Sequence, residues 1–147
     1  MGALTGLGGD LFIIDDPQKA VDANSESRRA SLYAWFTNTL VSRLDNKEKG
    51  AIIVVMQRVH LDDLSGHLMD SSDQWDVLSL AAIAEEDETI PLGGDRVHFR
   101  KAGEALHPER ESLETIRGLR QTLGSEIYAA QMQRAPVPPG GGMIKRT

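Results

Sequence analysis

The chain has 147 residues, a formal net charge of −6 and no cysteine. That bounds it to one domain of ordinary size or a large piece of a bigger one, and it excludes a disulfide framework or a cysteine-bound zinc. No apolar run approaches the ~20 residues of a membrane span and no charged leader precedes a short apolar core, so a soluble intracellular protein is expected.

The charge is unevenly spread. Residues 1–94 carry 16 acidic against 7 basic side chains, and residues 95–147 carry 6 against 9. An acidic body argues against a free-standing nucleic-acid binder. The mildly basic remainder leaves room for a phosphate-bearing partner.

Met1 to Asp10 holds four glycines and reads as a lead-in loop. It is not a phosphate loop by sequence, since no G-x-x-x-x-G-K-[ST] is present. Leu11-Phe12-Ile13-Ile14 follows, a continuous apolar run of the kind that is buried on both faces of a parallel sheet. It is stopped by Asp15, Asp16 and Pro17, because proline has no N–H for a ladder. The two carboxylates therefore sit at the carboxyl edge of a strand, where open α/β sheets place their ligands. There, one acidic residue can hold a hydrated magnesium ion while the other polarises a water or senses a γ-phosphate. The alternative is a polar strand end before a turn.

Residues 18–24 are connector, and a long helix is expected from Ser25 to Leu44. Leu32, Trp35, Phe36, Thr39, Leu40 and Arg43 share its packing face. After the charged turn 45–50, Ala51 to Met56 is a second apolar strand. Strand, helix and strand at this spacing predict a parallel crossover, which brings Gln57 and Arg58 to the same edge as Asp15 and Asp16.

Leu61 to Asp70 is expected as a short helix. His60, Asp63 and His67 can share one of its faces, so a local metal site is an alternative to ordinary capping and packing. Trp75 to Ile83 is expected as a third strand, Glu85 to Glu88 as a solvated loop, 91–95 as a turn, and Val97 to Phe99 as a short edge strand. Ser112 caps an expected helix that Gly124 stops after Leu123, and Ser125 caps another that runs to about Arg134. From Pro136 the chain is Pro- and Gly-rich. The organisation expected is thus one α/β domain over 1–135 and a linker or tail over 136–147.

These segments, in this order, resemble part of the large terminase subunit of tailed bacteriophages, the ATPase of the DNA-packaging motor. LFIIDDP resembles the family's Walker B strand, and AIIVVMQRVHLDDLSGHLM resembles its next strand, coupling motif and following helix. WDVLSLAAIAEE and the stretch from Leu106 to Arg146 resemble the end of the ATPase domain and the linker into the nuclease domain. The resemblance implies a partial P-loop NTPase-like (ASCE) three-layer αβα domain with a mostly parallel sheet, followed by a helix pair and linker. It assigns Asp15 to magnesium, Asp16 to activation of the attacking water, and Gln57 and Arg58 to coupling.

It further implies Mg2+ and ATP as cofactors of the complete family protein, not held tightly by this chain alone. The implied partners are double-stranded DNA, the small terminase subunit and the portal, and for the isolated chain a complementary N-terminal ATPase fragment, with no membrane; the implied location is the cytoplasm of a bacterial host. The sequence departs from the family pattern at Leu7, where a basic residue is expected, at Ala81, where proline is common, and at Met132, where an aromatic is common. The family's P-loop and nuclease domain have no counterpart in these residues. A parallel sheet without the P-loop strand should expose an apolar edge and a helix-packing face. Two alternatives stay open: a truncated prophage product acting as a protein-interaction module, and a metal-dependent hydrolase built on Asp15, Asp16, His60 and His67.

Overall fold

The structure is a computed structural model that describes residues 8–71 and 75–138. The chain divides after Trp75 into two compact units. Both mix helix and strand, so the molecule is of mixed α/β class. Among the described residues no helix is long and apolar enough to cross a membrane.

The first unit contains strands β1 (Leu11–Asp15) and β2 (Ala51–Val55). They pair in parallel, with Ile13 opposite Ile53 and Asp15 opposite Val55. Between them lie a single turn, α1 (Ala20–Ala23), and the main helix, α2 (Glu26–Trp35). Helix α2 continues through a π-helical turn at Phe36–Leu40 and a 3-10 turn at Val41–Arg43. The expected helix from Ser25 to Leu44 is thus present, and its geometry widens where the Thr37 hydroxyl donates back to the Tyr33 carbonyl at 3.0 Å. Leu32, Phe36, Leu40 and Leu44 recur every fourth residue and are all buried. Leu32, Phe36 and Leu40 pack with Ile14 and with Leu64 and Leu68 of helix α3 (Leu64–Asp70).

This packing covers one face of the β1–β2 pair. The other face is bare: Leu11 is 54% exposed, Ile13 65%, Ile53 45% and Val55 52%. Both faces of each strand are apolar, as in a sheet that is covered on both sides, yet the described residues supply one cover.

The second unit is a hairpin beside a short helical layer. Strands β3 (Glu88–Pro91) and β4 (Val97–Arg100) pair antiparallel. Gly93 and Gly94 both take positive φ in the connection, the conformation that glycine adopts without steric cost. Helix α4 (Leu113–Leu123) begins where Ser112 accepts the Thr115 amide and ends at Gly124, φ 79°. A further turn, α5 (Ser125–Ile127), runs into a π-helical turn at Tyr128–Met132. Ala105, Ile116 and Tyr128 are the buried centre of this unit.

Two expectations need correction. Trp75 to Ile83 is not a third strand. Val77 and Leu78 are exposed, and the one ladder contact in the stretch is an isolated bridge between Ile83 and Ala105. Its backbone groups are used by distant segments: the Ala82 amide donates to the Met132 carbonyl and the Leu106 amide donates to the Ala82 carbonyl. The acidic run was expected to be wholly loop, but Glu88 opens β3, because its carboxylate meets the buried Arg100 guanidinium at 3.0 Å. Of the expected linker, residues 139–147 lie outside the described residues, as does Leu7.

Candidate active-site edge

The carboxyl edge of the parallel pair is built from the backbone outward. Asp15 closes β1 opposite Val55, and the Asp16 amide makes the last inter-strand bond, to the Val55 carbonyl at 2.9 Å. Asp16 itself takes φ 42°. The left-handed region costs most L-residues roughly 1–2 kcal/mol, and aspartate is among the few side chains that visit it. The chain therefore turns sharply at the second carboxylate, directly before Pro17. Both aspartates are exposed. Exposed, adjacent carboxylates suit magnesium, a hard ion that keeps several waters and takes one or two carboxylate ligands.

Gln18 lies two residues further on, and the sequence did not single it out. Both polar atoms of its carboxamide are buried without a hydrogen-bond partner among the described residues. Nothing in the local sequence pattern signals it.

On the neighbouring strand, Gln57 lies two residues past the end of β2 and is exposed. The parallel register thus brings Asp15, Asp16 and Gln57 to one edge. Arg58 is engaged differently. Its Nε donates to both carboxylate oxygens of Asp63, at 3.0 and 3.1 Å, and its Nη2 donates to the His60 and Leu61 carbonyls.

Asp63 is the organising residue of this loop. It is fully buried, and it also accepts the amides of Val59, His60 and Gly66 at 2.9, 3.2 and 2.8 Å. A carboxylate that accepts one guanidinium and three amides is satisfied on every side. Glycine is required at position 66, since a Cβ there would lie 2.0 Å from the Leu61 carbonyl oxygen. The signal for Asp63 was present as an N-cap aspartate ahead of an apolar helical run.

The histidines do not join the aspartate pair. The His60 Nδ1 accepts the Asp62 amide at 3.0 Å, and His67 stacks on Tyr33 with ring centroids 4.7 Å apart. Among the described residues, no three His, Asp or Glu side chains gather where they could hold a metal ion. Arg28 and Arg29, at the start of α2, are tied to Asp22 and to the Ala23 carbonyl respectively.

Searches against family models, curated proteins and solved structures returned no match to this chain.

Proposed function

We propose that these residues are the Walker B and coupling segment of a phage terminase large subunit, the ATP-driven motor that packages viral DNA. The observation that carries the reading is the parallel β1–β2 pair with its helical crossover, which leaves Asp15, Asp16 and Gln57 at one carboxyl edge. In this reading Asp15 holds a water-coordinated Mg2+, which neutralises charge on the phosphates when bound. Asp16 orients the attacking water, and Gln57 reports the state of the γ-phosphate. Arg58 acts by holding the coupling loop to Asp63. The bare apolar face at Leu11, Ile13, Ile53 and Val55 supports a larger, three-layer P-loop-type domain of which this is a part. The reading places the protein in the cytoplasm of the bacterial host, working on double-stranded DNA with the small terminase subunit and the portal.

Two measurements test it. The purified 147 residues contain no G-x-x-x-x-G-K-[ST], so calorimetry with MgATP should give no saturable heat. Binding that disappears in Asp15→Ala would instead mean a self-contained nucleotide site. In a complete packaging ATPase carrying this stretch, Asp15→Ala and Asp16→Asn should each lower ATP turnover and DNA packaging at least 100-fold. Packaging that survives Asp15→Ala would end the reading.

A second reading draws on the same bare sheet face: the chain acts as an interaction module that binds a protein surface through Leu11, Ile13, Ile53 and Val55. Ile13→Lys should then abolish a mass shift seen in sedimentation with a complementary ATPase fragment. The absence of any shift with wild-type chain would count against it.

A further inference from the structure

The second unit carries an open cleft of about 610 Å³, lined by residues of α4, the following turn and the segment around Glu85. Two arginines, Arg117 and Arg120, stand on its α4 wall. They are three residues apart and so share a helix face. Both are exposed, and neither is ion-paired with a described residue. Elsewhere in the chain Arg28, Arg58 and Arg100 meet carboxylates at 3.0–3.1 Å.

The rest of the lining includes polar groups that are partly occupied. Gln133 uses its amide on both backbone groups of Ile83 and donates to the Glu85 carboxylate at 3.3 Å. Ser125 lines the cleft as well, and the largely buried Tyr128 forms part of its wall. The cleft therefore offers two free guanidinium groups and a hydroxyl against one carboxylate that is already engaged. The volume lies within the range of small-ligand sites.

We propose that Arg117 and Arg120 form a binding site for a phosphate group. A guanidinium presents paired N–H donors in a planar fork that matches phosphate oxygens, and two such forks one helical turn apart can bracket one phosphate or two linked ones. Ser125 adds a donor. Glu85 sets the limit on ligand charge, because it repels an anion that fills the cleft, and it accepts a hydrogen bond from Gln133. The phosphate can belong to a soluble compound or to a nucleic-acid backbone. None of the site's residues lies at the β1–β2 edge, so its test is independent of Asp15 and Asp16.

The experiment titrates the full chain with pyrophosphate by calorimetry, and with a short DNA duplex across a series of salt concentrations. The comparison is with the Arg117→Gln/Arg120→Gln double variant, whose fold is checked by circular dichroism. Saturable pyrophosphate binding that weakens at least tenfold in the double variant supports the site and identifies a soluble ligand. Duplex binding without pyrophosphate binding also supports it, provided the double variant's log–log salt slope falls by about two, as expected for two lost phosphate contacts. Glu85→Gln should tighten whichever ligand binds, by about two- to threefold. Wild-type chain that binds neither probe, a double variant that binds as well as wild type, or a Glu85→Gln variant that binds no more tightly would each overturn the assignment.

Discussion

Asp63 in the first unit and Arg100 in the second are the two polar side chains buried among the described residues, at 0% and 2% exposure, and they are satisfied in opposite ways. Asp63 takes all its partners from within five residues: Arg58, Val59, His60 and Gly66. Arg100 reaches across its unit, to Glu88 twelve residues away and to the Ala81 carbonyl nineteen away, with the Glu104 carbonyl nearby. Its Nε is left without a partner. The carboxylate is a local device that folds one loop. The guanidinium is a long-range tie between a hairpin and the irregular segment at Ala81, and it is incompletely paired. A buried charge whose partners are all local should fail abruptly when cut, since every amide it served is stranded at once. One with distributed partners, some able to reach water, should fail more gradually.

The largest effect expected is therefore from Asp63→Ala. Removing one side of a buried, hydrogen-bonded ion pair typically costs on the order of 3–5 kcal/mol. Both tryptophans, Trp35 and Trp75, belong to the first unit, so urea unfolding followed by tryptophan emission reads this loss. A cost below about 1 kcal/mol would remove Asp63 from its central place. Gly66→Ala comes next at about 1–3 kcal/mol, the usual range for overpacking, because its methyl group would collide with the Leu61 carbonyl. It should lower the same tryptophan-detected midpoint.

Arg100→Met should cost less than Asp63→Ala, about 1–2 kcal/mol, the scale of one or two lost hydrogen bonds. Glu88 is 24% exposed and can turn to solvent when its partner is gone. Amide exchange across Glu88–Arg100 should accelerate while the tryptophan midpoint stays put. A cost equal to that of Asp63→Ala would break the contrast between the two ions. Ser112→Ala is the smallest, at about 1 kcal/mol, the ordinary value of an N-cap. Ser112 caps α4 as Asp63 caps α3, but without a buried ion pair, so the difference between the two substitutions reads what Arg58 and the Val59 and His60 amides add together. Faster amide exchange in the first turn of α4 is the readout.

The same contrast decides what could be read from sequence. The parallel pair was legible because Leu11–Ile14 and Ala51–Met56 are unbroken apolar runs, a pattern with few other physical explanations. Helix α4 was legible from Ser112 and Gly124, whose roles are set within a few residues. Asp63 was half legible: it was placed at the start of an expected helix from Leu61, whereas it caps one that begins at Leu64, and its grip on Arg58 depends on how the loop closes. Arg100 was opaque, since nothing in Val97–Arg100 announces partners twelve and nineteen residues back. The error at Trp75–Ile83 has the same origin. Its apolar residues suggested a strand, but the backbone bonds went to Met132 and Leu106, partners that only the tertiary fold could choose. Arg117 and Arg120 were not singled out by the sequence, because the cleft they line is set by the tertiary fold.

Strand alternation has one more consequence at the edge of the first unit. Side chains two residues apart on a strand share a side, so Asp15 belongs to the same row as Leu11 and Ile13. That row is the uncovered one. Any layer laid over those apolar residues ends beside the Asp15 carboxylate and strips water from it in the same movement. Covering the apolar row and drying the Asp15 carboxylate would then be a single event.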